Sequence, residues 1–574
     1  MSFLQKYIRK YTKPFSIGVF FLTLESFCDL MQPTVMSKII DTGVANRNMD
    51  YVFKLGGVML LITALGAVAA TVRNILASRV SQNFGAELRQ DLFTKIQFLS
   101  FENIDNFDRA SLVTRLTNDV TQVQVFVNGL MRIFVKAPLL CIGGLIMATR
   151  LNPHLAVVLA VVVPVVGIII IINMSIGFPL FTKVQGALDK VNSYMREYLS
   201  GVRVVKAFNR FDYEVAKFNH ANQGLRDVST QANRVLVVFS PFIMLTLNVG
   251  IVCVLWIGGN GVKSGRMQVG HIIAFTNYMS QILFALMLIS MVFNMFVRAR
   301  ASAGRIGEVF AVENNIKWGE SLGSDFKSKG KIDFEDVSFS FEGTAGEPVL
   351  KNITLTCMPG ETVGIIGPTG SGKSSLVGLI PRFYDVSSGC IKVDGNDIRN
   401  VAPNILREKI SVVSQKAILF TGTVMDNIRW GKEDATLEEI QQAAIIANAH
   451  EFISASPEGY LTKLGQGGVN FSGGQKQRIS IARALVRKPE VLILDDSTSA
   501  VDVTTEKKIK EGLRKYADGL TCILIAQRIT SVIDLDKIVV LDHGKIVGMG
   551  RHEELIEKCK VYQEIYQSQV GREG

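Results

Sequence analysis

Phe471-Ser472-Gly473-Gly474-Gln475 decides how this chain is read, because of what stands on either side of it. Upstream lies Gly367-Pro368-Thr369-Gly370-Ser371-Gly372-Lys373-Ser374; downstream the apolar run Val491-Leu492-Ile493-Leu494 closes on Asp495 and Asp496. The upstream segment is a phosphate loop, entered from a short strand at Thr362–Ile366 and expected to open a helix. Its backbone N–H groups would cradle phosphates, Lys373 would reach the β- and γ-phosphates, and the Ser374 hydroxyl would ligate Mg²⁺. Asp495 ends an apolar strand, where an ionised carboxylate needs a cation or water beside it, so holding hydrated Mg²⁺ is the natural role. A phosphate loop alone is common property of nucleotide-binding proteins. An SGGQ run between that loop and an apolar strand ending in Asp is far narrower.

Outward from this stretch the chain divides by texture. Its 574 residues are long enough for two or more domains, and 48% apolar content is high for a wholly soluble protein. Six apolar segments lie near 16–38, 55–77, 129–149, 155–175, 235–259 and 271–296, each close to the ~20 residues that a bilayer core requires. The formal charge of +11 does not gather into one stripe, so it reads as cytoplasmic charge beside membrane spans rather than a nucleic-acid surface. Before the first segment, Phe3, Leu4, Tyr7, Ile8 and Tyr11 recur at helical spacing among Lys and Arg, which suggests an interfacial amphipathic helix. With no trustworthy cleavage pattern after Lys6, Arg9, Lys10 and Lys13, the first segment reads as a retained span. Seven scattered cysteines without a CxxC pair support neither a disulfide framework nor a zinc site.

The links between segments carry topology. Asp41–Asp50, Arg150–His154 and Asn260–Val269 are short with little positive charge. The other two links are long, polar and helical in period, so with both termini cytoplasmic they extend the helices on the cytoplasmic side. From Gly330 the pattern is soluble α/β: Lys331–Phe341 alternates as a strand, Ser411–Val413, Val491–Leu494 and Cys522–Ile525 read as buried strands, and 435–490 turns helical. The resulting division is 1–310 as an all-α membrane domain of six helices, 311–329 as linker, and 330–574 as an α/β nucleotide-binding domain with a helical subdomain.

Taken together, these motifs resemble the ABC transporter family over nearly the whole chain, most closely the heterodimeric bacterial exporters. The resemblance implies ATP and Mg²⁺ as cofactors and a plasma-membrane location. It implies that Gly367, Thr369, Gly370, Ser371, Gly372, Lys373, Ser374 and Ser375 bind nucleotide, with Phe341 where an aromatic commonly stacks on adenine. Gln415 matches the glutamine that touches Mg²⁺ or the attacking water. Ser472, Gly473, Gly474 and Gln475 would cap ATP on the opposite subunit, with Asp502 in the loop crossing the same interface. Phe471 replaces a commoner Leu harmlessly, and Gly465–Gly468 lacks the Glu often found there. The turns near Phe101–Arg115 and Gly201–Tyr213 stand where the family has coupling helices.

Two departures from the family pattern set the functional expectation. Asp496 stands where Glu is usual and is one methylene short for polarising a water in line with the γ-phosphate; a misplacement of about 1 Å can lower rate on the order of a hundredfold. Gln527 stands where His is usual and cannot become a cation. A degenerate ATP site follows, and with it a heterodimer whose other half-transporter supplies Glu and His. The cargo expected is a small amphiphile; a lipid flippase, a non-hydrolytic regulatory subunit and a homodimeric exporter are the alternatives.

Charges inside the spans bear on cargo. Glu25 and Asp29 share one face of the first span, and Arg132 and Lys136 open the third. They form either a buried ion-pair cluster or gate, or a negatively lined cavity for cationic amphiphiles. Asn248, Asn277, Gln281 and Asn294 would add polar points to a cavity or bond between helices. Pro138, Pro164 and Pro241 are expected to kink their helices.

Overall fold

A computed structural model describes residues 3–316, 330–341, 347–516 and 519–570, so most of the expected linker lies outside the described residues. The chain forms two compact units: Met1–Gln97 with Arg109–Val312, and Phe98–Asp108 with Glu313–Gly574.

In the second unit a six-stranded sheet runs in the order Lys545–Gly550, Lys537–Asp542, Thr362–Ile366, Thr521–Ile525, Val491–Asp495, Ile410–Val413. All neighbours pair in parallel except the outer Lys537–Asp542/Lys545–Gly550 hairpin. Strands buried on both faces read as unbroken apolar runs, and Val491–Leu494 is one. Successive residues of it feed different cores: Leu492 and Leu494 join the helical side with Ile479 and Leu485, while Val491 and Ile493 face Leu376 and Ile391. A second sheet, in the order Leu350–Cys357, Ile332–Phe339, Ser388–Val393, Asn396–Asp397, is antiparallel throughout. Register fixes the site. Leu524 pairs with Leu494 on one side and Gly364 on the other, so the chain after Ile366, Asp495 and Ile525 emerges at one edge of the sheet. Ligands of such sheets bind beyond the carboxyl ends of the strands.

In the first unit, six stretches are long and apolar enough to cross a membrane: Phe3–Val44, Met49–Gln97, Arg109–Leu151, Pro153–Ala207, Phe211–Lys263 and Val269–Ala311. The fourth is a single 55-residue helix, about 80 Å long at 1.5 Å per residue against a hydrocarbon core of about 30 Å.

One sequence expectation needs correction. The N-terminal amphipathic stretch is no separate interfacial element, because helix Phe3–Lys38 is continuous. Its apolar face is used internally: Tyr7 is buried against Phe84 and donates to Asp91 at 2.6 Å, and Phe3 stacks on Phe310. Pro138 and Pro241 lie within the continuous spans Arg109–Leu151 and Phe211–Lys263, and in each the helix is interrupted just before the proline, at Val135 and Val238, as a missing N–H requires. Pro164 also lies inside its helix. The two long links also differ. The first carries a short helix, Phe101–Asp105, that belongs to the second unit, where Phe101 packs on Phe383 and Asp105 accepts from Tyr384 at 2.7 Å. The second turns at Phe208–Arg210 within the first unit, through a left-handed Asn209.

Candidate functional site

The phosphate loop leaves strand Thr362–Ile366 and opens helix Lys373–Leu379. Gly372 caps that helix with φ 98°, in the left-handed region, and a Cβ there would meet Leu350 at 2.8 Å. Lys373 curls over the loop and donates to the carbonyl oxygens of Gly367 and Pro368, both at 2.8 Å. Burial holds its pKa below the usual lysine value. Ser371 is buried, and its hydroxyl oxygen has no partner. A buried hydroxyl without a bond is expensive unless something else fills the valence. A phosphate oxygen in the loop fits that vacancy in chemistry and place. Thr369 and Gly370 are exposed at the loop crest, and Ser375 is half-buried in the helix behind it.

Ser374 donates to Asp495 Oδ1 at 3.0 Å. A hydroxyl beside a carboxylate is a hard-oxygen pair suited to Mg²⁺ that takes its other ligands from phosphate and water. Among the described residues no cluster of three His, Cys, Asp or Glu could hold a metal without such help. Burial is the main cause that lifts the Asp495 carboxyl above its ordinary pKa, with the neighbouring Asp496 charge adding to it.

Asp496 is buried and left-handed at φ 47°, a pose that aspartate accepts more readily than most residues. Its Oδ2 accepts from Gln527 Nε2 at 2.7 Å and from Gln415 Nε2 at 3.0 Å. Burial raises its pKa, opposed by the Gln415 bond first and then by the Lys373 charge. The structure thus brings Gln415, Asp496 and Gln527 into direct contact, beside Ser374 and Asp495, from four separated parts of the sequence.

Ser472 and Gln475 form a reciprocal cap on helix Gly473–Leu485: Ser472 Oγ accepts from the Gln475 N–H, and Gln475 Oε1 accepts from the Ser472 N–H at 2.9 Å. Gly474 lies so close to the Ala500 carbonyl that a Cβ would come within 2.8 Å of it. The Ala500 N–H in turn donates to Gln477 at 3.2 Å. Asp502 starts the next helix by accepting from the Thr505 N–H at 2.9 Å, which holds its carboxyl below the usual range. Neither Ser472–Gln475 nor Asp502 bonds to the Asp496 cluster. Phe341 stands edge-on to Phe339 and to Tyr384, with ring centroids 4.8 and 5.3 Å away.

Sequence reading missed three residues here. Tyr384 links the Phe341 position to the Phe101–Asp105 turn, and nothing in its local sequence marks it. Gln569, in the last helix, accepts from the Ile529 N–H at 2.7 Å and donates to the Gln527 carbonyl at 2.8 Å, clasping the loop that carries Gln527. The third is Arg73, an arginine inside an apolar segment, which was a visible signal.

Arg73 changes the membrane charges. Its Nε donates to Glu25 at 2.7 Å, both side chains being buried, and Lys136 bonds Glu25 at 2.5 Å and Asp29 at 3.0 Å. The ion-pair alternative therefore describes Glu25, Asp29 and Lys136, but Arg73 takes the place expected for Arg132. Glu25 and Asp29 do not line the neighbouring cavity. The cavity that these helices leave is lined by Arg73, Arg132 and Lys136, with no acidic residue. Asn277 bonds its own helix at Ile273, and Gln281 donates across to the Asp29 carbonyl at 3.4 Å. The side chain of Asn294 lies outside the described residues.

Residues 15–287 match the family described as ABC transporter transmembrane region, and residues 350–499 match the family described as ABC transporter. The chain is 40% identical, over 98% of both proteins, to the uncharacterized ABC transporter ATP-binding protein YfiB of Bacillus subtilis (strain 168). It is 33% identical, over 97% of both, to the ATP-dependent lipid A-core flippase of Desulfotalea psychrophila. A solved structure of a bacterial Atm1-family ABC exporter with ATP bound shares the fold at a TM-score of 0.81 and 24% identity, covering 97% of this chain and 98% of that one.

Proposed function

The chain belongs to the ABC transporter family, a multi-pass membrane protein with its ATP-binding cassette on the same polypeptide, and from that premise we propose that it is one half of a heterodimeric exporter contributing a degenerate ATP site. The observation carrying this reading is the Asp496 carboxylate, whose hydrogen bonds come from two neutral amides, Gln415 and Gln527. Hydrolysis asks two things of these positions: a carboxylate that reaches an attacking water, and a donor that can answer the charge growing on the γ-phosphate. Asp496 has a short reach. Gln527 can donate a hydrogen bond but brings no charge.

When bound, ATP with Mg²⁺ supplies the phosphate charge that draws two cassettes together. In this chain Lys373, Ser371 and Ser374 would hold the phosphates, Asp495 the hydrated Mg²⁺, and Phe341 the adenine. Ser472–Gln475 and Asp502 would serve the partner's site, where a Glu and a His complete the hydrolytic machinery. Val204, Phe208 and Tyr213 at the second long link are exposed, which suits a turn that meets the other half. Export of amphiphiles fits a membrane domain preceding the cassette on one chain, with both termini cytoplasmic. The likeness to a lipid A-core flippase favours a lipid as the second reading of the cargo.

The test is ATP hydrolysis by this chain alone in lipid nanodiscs, with its oligomeric state measured in parallel. Nucleotide binding with negligible turnover is expected. Fast turnover by a clean homodimer would mean that Asp496 and Gln527 suffice, and the heterodimer reading would fall.

A further inference from the structure

Within the membrane unit lies a cavity of about 520 Å³ between the second, third and sixth spans. Its wall is charged in one sense. Arg73, Arg132 and Lys136 line it, Gln124 and Asn128 add amides, and no acidic side chain does so. The two carboxylates nearby, Glu25 and Asp29, are engaged by Arg73 and Lys136. Two acids therefore answer three cations. Among the described residues Arg132 has neither a hydrogen bond nor an ion pair. It sits in a π-helical turn, Leu130–Phe134, a geometry that recurs at functional sites. The opposite wall is apolar, built by Phe284, Leu288 and Met295 of the sixth span. A smaller cavity shares Val125 and Met295 and adds Arg298, which among the described residues likewise has no hydrogen bond or ion pair.

A fixed positive charge inside a membrane span is unfavourable, and such groups mark substrate paths. The fold neutralises two of the cations and leaves Arg132 facing a cavity that also offers apolar surface. We propose that this cavity binds the cargo, and that the cargo is an anionic amphiphile whose phosphate or carboxylate head is met by Arg132 and whose tail lies on Phe284, Leu288 and Met295. The inference rests on the exporter reading for the word cargo, and on this chain's own residues for the charge.

The experiment uses the full chain in phosphatidylcholine nanodiscs and compares two probes with the same tail, dodecyl phosphate and dodecyltrimethylammonium. Retention is measured against empty nanodiscs. Dodecyl phosphate is expected to bind saturably and the cationic probe not to bind. Arg132→Ala should weaken dodecyl phosphate binding about tenfold or more, as expected for a lost charge-assisted hydrogen bond, and Arg132→Lys should restore most of it. Equal retention of both probes, or an Arg132→Ala variant that binds as the parent does, overturns the proposal. Competition by inorganic phosphate at matched concentration would assign the cavity to a free anion and overturn the amphiphile. ATP-driven uptake into inside-out vesicles from cells that make this chain together with its partner half separates the two readings. Arg132-dependent binding without uptake sinks the exporter and supports the cavity assignment; uptake indifferent to head charge sinks the cavity assignment alone.

Discussion

Two pairs of carboxylates, one in each unit, have been given opposite surroundings. Glu25 and Asp29 lie one helical turn apart, and the fold meets them with Arg73 and Lys136. Asp495 and Asp496 lie side by side at a strand end and receive bonds only from neutral groups, the Ser374 hydroxyl and the Gln415 and Gln527 amides. The nearest lysine there, Lys373, spends its hydrogen bonds on backbone carbonyls. A pair answered by cations is structural, since nothing need arrive to complete it. A pair left with neutral donors in a buried place has raised carboxyl pKa values and is waiting for a cation.

The largest effect should come from breaking the answered pair. Glu25→Ala leaves buried Arg73 with no carboxylate and is expected to destabilise the membrane unit by about 3–5 kcal/mol, read from thermal unfolding in detergent. Glu25→Leu with Arg73→Met should recover most of that. If the single substitution were silent, the cluster would not be the structural element claimed here.

Next comes a gain at the unanswered pair. Asp496→Glu with Gln527→His is expected to raise phosphate release at this site by on the order of a hundredfold, because reach and charge are restored together. No gain would show that something other than these two side chains limits the site.

Asp495→Asn should lower Mg²⁺-dependent ATP affinity about tenfold, the size of one charge-assisted contact, and leave binding in chelator unchanged. The pH dependence has a definite sign. The folded-state pKa of Asp495 is raised, chiefly by burial, so the carboxyl takes up a proton earlier than usual as pH falls. Mg²⁺-dependent binding should therefore weaken on acidification in the parent and stay flat in the variant. By the same linkage, this carboxyl makes the nucleotide-free cassette less stable as pH rises through its raised pKa. Asp495→Asn should then be neutral or stabilising at pH 7.

The smallest effect expected is at Gln569. Its two bonds to the Gln527–Ile529 backbone should be worth about 1 kcal/mol net. Gln569→Ala should speed hydrogen exchange at Ile529 about fivefold while leaving nucleotide affinity within twofold.

Legibility followed the range of the interactions involved. Strand Val491–Asp495 was readable because its burial on both faces demands an uninterrupted apolar run, and the phosphate loop because its glycines are required locally. The strands Leu350–Cys357, Ser388–Val393 and Lys537–Asp542 are less legible because their sheet partners lie elsewhere in the sequence, and Lys545–Gly550, which pairs only across the His543-Gly544 turn, follows Lys537–Asp542 into the sheet. The N-terminal stretch misled for a related reason. An apolar stripe on a helix says that something covers it, and does not distinguish a lipid surface from Phe84 and Phe310.

The sequence by itself determined the family, the six apolar spans and the cassette, and it supplied Asp496 and Gln527 as the residues on which the proposed degenerate site rests, since each is written in contiguous residues whose spacing the chemistry dictates. Only the tertiary structure decided the charge on the wall of this cavity, because Arg73 reaches Glu25 from 48 residues away, and Arg132 is left without an ion pair among the described residues. It alone set Gln415, Gln527 and Asp496 in contact as well. A side chain's type is local, whereas the partner that neutralises it is chosen by the packing of distant elements.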